Sequence, residues 1–149
     1  MEKVYYSYEM FKNDVNILSS KINDFNPEVV LAVARGGLTL GHFICNTINN
    51  RNLFSINSIS YDNEIQLSSV EVFNIPDLSA YKKIVIVDDI VDSGKTLLKV
   101  IDILNDKFPN LDIKIASIYY KDGALLKPDF YIRNADCWID FFWEIDTRL

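Results

Sequence analysis

The apolar positions change their period several times along the chain, and each change marks an element. From Tyr8 to Ile22 the residues Phe11, Val15, Leu18 and Ile22 recur at three- and four-residue spacing, the stripe of an amphipathic helix with Ser7 placed to cap it. Val29 to Ala34 is instead a continuous apolar run, too short for a good helix and suited to a parallel strand covered on both faces. Arg35-Gly36-Gly37 interrupts it, and Leu38 to Ile48 resumes helical spacing. Leu53 to Ile59 and Ile84 to Val87 predict two further strands, Ser93 to about Phe108 a helix, and Ile113 to Tyr119 a fourth strand.

Strands alternating with helices predict an α/β fold, a mainly parallel twisted sheet flanked by helices, and the chain is expected to form one domain over residues 1–149. Two stretches break the rhythm. Tyr61 to Asp77 is polar with scattered apolar residues and predicts a mobile loop or hairpin. Phe130 to Trp143 is aromatic without a helical stripe and predicts extended chain beside the sheet. Because ligands of open α/β sheets bind outside the carboxyl ends of the strands, the Arg-Gly-Gly loop, the segment after Val87 and the segment after Tyr120 are expected to converge.

Composition narrows what that site can do. The formal charge of −6 excludes a nucleic-acid binder, which needs a basic face to displace counterions. Any phosphate ligand must therefore be met locally, by backbone N–H groups, single basic residues and a cation. Cys45 and Cys137 are far apart, and His42 is the single imidazole, so zinc-site spacing is absent and two reduced thiols are expected. The first residues lack an apolar signal core, and no run approaches the roughly 18 apolar residues that span a bilayer, so a cytoplasmic location with no transmembrane segment is expected.

The chemistry concentrates in IVIVDDIVDSGKT, Ile84 to Thr96. Asp88 and Asp89 end a buried strand, Asp92 stands in the turn, and Ser93-Gly94-Lys95-Thr96 opens a helix. Unpaired backbone N–H groups, two hydroxyls and the positive helix end make that opening a cradle for a terminal phosphate. Carboxylates beside such a cradle repel the ligand unless they accept from sugar hydroxyls or hold a cation, so a vicinal diol with Mg²⁺ satisfies both. The plainer alternative makes these acids N-cap and turn residues of a Rossmann-like fold. A Walker A loop is excluded because its first Gly falls on Asp89, and Arg35-Gly36-Gly37 lacks the GxGxxG spacing of a dinucleotide site.

VIVDDIVDSGKT resembles the phosphoribosyl-pyrophosphate motif of the type I phosphoribosyltransferases. The likeness runs from Arg35 to Glu144 and is nearest to the short bacterial xanthine-guanine enzymes through AVARGGL, SISYDNE, KDGALLKPDFYI and CWIDFFWE. It implies the type I fold with a small hood formed by the C-terminal segment. It also implies that phosphoribosyl pyrophosphate is bound along Asp88, Asp89, Ile90, Val91, Asp92, Ser93, Gly94, Lys95 and Thr96. Asp88 and Asp89 then face the ribose hydroxyls, with Asp89 also near Mg²⁺, and Ser93 to Thr96 hold the 5-phosphate. Arg35 and Gly36 form the pyrophosphate loop, where a non-helical or cis peptide is in keeping. In the base pocket Asp92 lies under the purine, Lys121 donates to its 6-oxygen, Trp138 stacks on its face, and Ile139 and Glu144 stand near its 2-position.

The reaction so implied is attack of a 6-oxopurine (guanine, xanthine or hypoxanthine) on phosphoribosyl pyrophosphate, giving a nucleoside monophosphate and pyrophosphate. Arg35 neutralises the leaving group, Asp92 relays the ring proton, and the enzyme is a homodimer or tetramer. A non-catalytic sensor of phosphoribosyl pyrophosphate on the same fold is the competing expectation. Three positions depart from the pattern: Lys95 replaces a frequent Gly, Asn57 to Tyr81 contains no Lys or Arg, and Phe142 stands where Pro is usual. His42 is expected to be a packed or surface residue, and Tyr119, Tyr120, Phe141 and Phe142 core or subunit-contact aromatics rather than a cofactor box.

Overall fold

The computed structural model describes residues 2–63 and 66–144. Its elements run β1 (Lys3–Tyr6), α1 (Tyr8–Phe25), β2 (Val29–Ala34), α2 (Gly37–Ile48), β3 (Leu53–Asn63), β4 (Gln66–Phe73), β5 (Lys83–Val91), α3 (Lys95–Lys107), β6 (Asp112–Tyr120), β7 (Arg133–Asn134) and β8 (Trp138–Phe141). Six strands form one sheet in the order β4-β3-β2-β5-β6-β7, parallel except for β4, which returns antiparallel along β3. The polar stretch after Tyr61 is therefore a hairpin, whose first strand outlasts the expected Ile59.

The unbroken apolar runs lie at the centre of this sheet. Residues of β2 and β5 alternate between its faces: Val30, Ala32, Val85 and Val87 pack towards α1 and α2, while Leu31, Val33, Ile84 and Ile86 pack with Leu97, Val100 and Leu104 of α3. At about 25 cal/mol per Å² of apolar surface removed from water, these two layers supply most of the drive to fold. Helix α1 begins where expected, Ser7 Oγ accepting from the Met10 N–H at 3.2 Å, and runs one turn past Ile22 to an Asn26 cap in the left-handed region.

The chain moves from β2 outward to β3 and then returns to the other side of β2 as β5. The strand order thus reverses between β2 and β5, which is the switch point where a crevice opens at the carboxyl ends. RGG follows one of these strands, and the paired acids lie within the other, which runs on to Val91 past the end expected at Asp88 and Asp89.

The hood contains more than the C-terminal segment. Strand β8 pairs in parallel with β1, Trp138 opposite Lys3 and Phe141 opposite Tyr6, as a separate two-stranded sheet. The aromatic run supplies its core: Phe141 stacks on Trp143 with centroids 4.7 Å apart, and Tyr6 and Phe11 meet Trp143 edge-on. Buried beneath them, the Tyr6 hydroxyl donates to Asp14 Oδ2 at 2.6 Å, and Arg133 of β7 grips the same carboxylate through Nε at 2.7 Å and Nη2 at 3.2 Å. No helix among the described residues is long and apolar enough to cross a membrane.

Candidate active site

Two cavities lie side by side at the carboxyl end of β5. The larger, about 690 Å³, is lined by Asp89, Asp92, Lys121, Trp138, Ile139 and Glu144 among others. The smaller, about 60 Å³, is lined by Ile90, Val91, Asp92, Ser93, Gly94 and Thr96. Ile90 and Asp92 belong to both, so a pocket the size of a phosphate opens beside one that can take a bicyclic base.

The phosphate turn is a close-packed object. Gly94 sits at φ +82°, a conformation L side chains rarely adopt, and a Cβ there would lie 2.9 Å from the Leu126 backbone nitrogen. The Leu125 N–H donates to the Ser93 carbonyl at 2.9 Å, so the segment after β6 is laced over the turn. Helix α3 begins at Lys95, whose N–H donates to Ser93 Oγ at 3.3 Å, which aims the helix start at the small cavity. Lys95 itself is exposed.

Asp88 and Asp89 are held by their own chain, Asp88 Oδ1 accepting from the Asp89 N–H at 3.0 Å and Asp89 Oδ1 from the Ile90 N–H at 2.7 Å. Burial, with the neighbouring Asp89 charge adding to it, raises the Asp88 carboxyl well above the ordinary range. Burial also lifts Asp89 to about 6 against the pull of the Ile90 N–H, and the charge of Glu144 pushes the same way as burial. A site that holds two carboxylates at this cost is shaped for a cation or for hydroxyl donors.

The loop after β2 closes against this pair. The Ala34–Arg35 peptide is cis. A Cβ on Gly36 would lie 2.6 Å from Asp89 Oδ2, so only glycine lets the loop approach the carboxylate. Arg35 is exposed and lies outside the residues lining the two cavities.

On the base side, Lys121 Nζ lies 3.0 Å from Asp92 Oδ1, both side chains largely exposed. Such a pair contributes little stability. It is therefore free to exchange partners with a ligand. The Lys121 N–H is anchored to the Val91 carbonyl at 2.9 Å, which ties the lysine to β5. Trp138 is 55% exposed and lines the large cavity beside the buried Ile139.

Every expected site residue but Arg35 and Lys95 thus meets one of two contiguous cavities or, as with Asp88 and Gly36, the Asp89 carboxylate that lines the larger one. Phe142 packs edge-on against Tyr8 and Phe11 and is not among the lining residues, so the missing proline changes the hood's core instead of the pocket's wall. Ala135, Asp136, Cys137 and Phe141 also line the large cavity and were not anticipated. Nothing in one sequence separates them from their neighbours except their place beside Trp138. His42 is exposed and touches Phe43, and Tyr119 and Tyr120 are core.

Among the described residues no group of three His, Cys, Asp or Glu side chains forms a metal cage. Two adjacent carboxylates fit Mg²⁺, which is commonly held by one or two acids plus substrate oxygens. A separate hollow of about 550 Å³ lies at the opposite end of the sheet between Asn26, Glu28, Asn50 and Arg51. Its Asn50 and Asn52 amides are spent on the Glu28 carbonyl.

A switch-point crevice holding a phosphate turn, paired carboxylates and an aromatic-walled pocket defines an α/β protein that binds a sugar phosphate together with a planar group. The chain belongs to the phosphoribosyltransferase family, the "Phosphoribosyl transferase domain" matching residues 5–148. It is similar to the Helicobacter pylori xanthine-guanine-hypoxanthine phosphoribosyltransferase at 39% identity, covering 97% of this chain and 96% of that one with a TM-score of 0.90. A purine phosphoribosyltransferase from Pyrococcus horikoshii superposes with a TM-score of 0.86 at 31% identity, covering 100% and 98%. The xanthine-guanine phosphoribosyltransferase of Ruegeria sp. strain TM1040 is 27% identical, over 93% of this chain and 84% of that protein. The likeness read from the sequence therefore stands: a type I phosphoribosyltransferase near the xanthine-guanine group, and an enzyme of the glycosyltransferase class.

The carboxylate geometry sets a pH dependence. A carboxyl whose folded value is raised binds more protons folded than unfolded, so stability of the metal-free protein falls as pH rises from about 4 to 6 and stays low above that. Asp89→Asn is expected to raise the metal-free melting temperature at pH 7.5 by about 5 °C, roughly 2 kcal/mol, and to change it little at pH 4. Thermal scans at the two pH values check this, and equal shifts at both would remove ionisation as the cause.

Proposed function

We propose that this enzyme transfers ribose 5-phosphate from phosphoribosyl pyrophosphate to a 6-oxopurine (guanine, xanthine or hypoxanthine) in purine salvage. The observation that carries the reading is Asp92. It borders both cavities and is paired at 3.0 Å with Lys121, so one residue joins the phosphate turn to a cation facing the base pocket.

The residues divide the work. Backbone N–H groups and hydroxyls from Ser93 to Thr96 receive the 5-phosphate at the start of α3, and Asp88 and Asp89 accept hydrogen bonds from the ribose hydroxyls. Lys121 donates to the 6-oxygen of the base, a contact the 6-amino group of adenine cannot accept. The exposed face of Trp138 stacks on the purine, worth on the order of 1–3 kcal/mol by analogy with nucleic-acid stacking, over Ile139 and Glu144.

As the bond from the purine ring nitrogen to the anomeric carbon forms, the carbon–oxygen bond to pyrophosphate breaks. Asp92 takes the ring proton, its carboxylate released when Lys121 turns to the base. Arg35 and the Gly36 N–H stabilise the departing pyrophosphate. Asp89 would hold Mg²⁺, which when bound would neutralise negative charge on that leaving group. The reading includes a cytoplasmic homodimer or tetramer. Exposed Ile59 and Phe73, on one face of the β3–β4 hairpin, support such an assembly.

Incubation with phosphoribosyl pyrophosphate, Mg²⁺ and each purine separately is expected to release pyrophosphate with the three 6-oxopurines and not with adenine. No release with any 6-oxopurine would sink the enzymatic assignment. Lys121→Ala is expected to raise the KM for the base about tenfold or more while leaving the KM for phosphoribosyl pyrophosphate within about twofold. Gly36→Ala forces its Cβ onto Asp89 and is expected to lower kcat/KM by about a hundredfold with the protein still folded, checked by steady-state kinetics beside circular dichroism.

A further inference from the structure

The base-pocket wall belongs to two sheets that share no strand. Its first residue, Ala135, is hydrogen-bonded to the Tyr120 carbonyl at 2.8 Å, at the edge of the six-stranded sheet just after β7. Its apolar face, Trp138 and Ile139, rides on β8, whose only strand partner among the described residues is β1. Trp138 N–H donates to the Glu2 carbonyl at 3.3 Å and Phe142 N–H to the Tyr6 carbonyl at 3.1 Å, so the position of Trp138 is set by the N-terminal strand. The angle between β7 and β8 then fixes how the wall between them, Asp136 and Cys137 included, faces Lys121.

The strands on either side of that angle meet at one cluster, in which Tyr6 and Asp14 are buried and Arg133 is partly exposed. Asp14 of α1 is 3% exposed and takes three hydrogen bonds, one from Tyr6 at the end of β1 and two from Arg133 of β7. Each partner stands at a boundary of the wall: Tyr6 opposite Phe141 in the small sheet, Arg133 two residues before Ala135 in the large one. The Arg133 guanidinium also lies 5.9 Å from the centre of the Tyr6 ring, and Tyr119 packs edge-on against that ring at 5.4 Å. A bidentate arginine and a short phenol bond define direction as well as distance, which an apolar contact of the same area would not.

Building on the phosphoribosyl-transfer reading, we infer that Tyr6, Asp14 and Arg133 are positioning residues for the purine, holding the wall that carries Trp138 and Ile139 in register with Lys121. None of the three lines either cavity at the site. They act through β1, β7 and β8, and the phosphate turn, built on β5 and α3, lies outside their reach. Loss of the cluster therefore separates the two substrates: the base binds less well, and phosphoribosyl pyrophosphate binds as before.

Tyr6→Phe removes one donor and keeps the ring, Arg133→Lys keeps the charge and loses the bidentate geometry, and Asp14→Asn keeps the shape. Each is expected to raise the guanine KM about fivefold or more and to change the phosphoribosyl pyrophosphate KM by less than about twofold, with Asp14→Asn the largest effect. Hydrogen exchange on the substrate-free protein gives a readout that does not need turnover. In the same variants the amides of 135–142 are expected to exchange about tenfold faster while those of β2 and β5 are unchanged. An unchanged guanine KM, equal changes in both KM values, or exchange that rises uniformly across β2 and β5 would overturn the inference. A wild-type protein inactive with every 6-oxopurine would instead defeat the transfer reading, and the exchange pattern would still decide whether the cluster holds this wall.

Discussion

The site depends on placing two carboxylates where the sheet would rather have none. Asp88 and Asp89 continue a strand whose preceding four residues, Ile84 to Val87, are wholly buried, and their burial raises both carboxyls. The enclosing structure supplies one side of the arrangement through the Asp89 and Ile90 N–H groups, and leaves the other side to whatever binds. The strained pair is suited to a bound cation or to hydroxyl donors, which would relieve it. The glycine at 36 follows from the same constraint, since a loop that must touch Asp89 from β2 has no room for a side chain.

Topology turns that local strain into a site. With the chain reversing direction between β2 and β5, the loops after these strands diverge and leave a crevice, and the segment after β6 folds back over the turn through Leu125. Three loops from three adjacent parallel strands thus meet at one end, and the one after β6 also packs Ala124 and Leu126 against the core. The apolar residues of β2 and β5 can then be chosen for packing alone. This explains why their run is continuous and why the chemistry begins where the run stops.

The parts of this arrangement that lie within a short stretch of sequence were legible there. The strand-to-helix segments Val29–Ile48 and Ile84–Phe108, the phosphate turn and its acids are each set by neighbours in the chain, through period, capping and helix-end electrostatics. Strand β1 escaped because four residues paired with β8 far along the chain carry no period of their own. The same holds for Asp14, which reads as one polar residue on a helix and is buried only because Tyr6 and Arg133 arrive from elsewhere. Trp138 was recognised by likeness, whereas Asp136 and Cys137 became pocket residues only once the two sheets were joined. The hairpin after β3 was half legible: its polar character was plain, and its antiparallel return was not.

The hairpin also bears on how the enzyme manages charge. Asn57 to Tyr81 contains no Lys or Arg, so the long β3–β4 extension cannot bring a cation to the crevice from its own strands. In the proposed transfer phosphoribosyl pyrophosphate brings several negative charges to a protein of formal charge −6, whose larger cavity is already lined by Asp89, Asp92 and Glu144. On the proposed reading neutralisation comes from Arg35 and the start of α3, at the strand ends rather than on the hairpin, and from the divalent cation that Asp89 would hold. Their contributions act at short range in a partly desolvated crevice, where each is worth more than a mobile side chain reaching in through water. In the proposed transfer, the metal that Asp89 would hold couples the raised carboxyls of β5 to the departure of the leaving group.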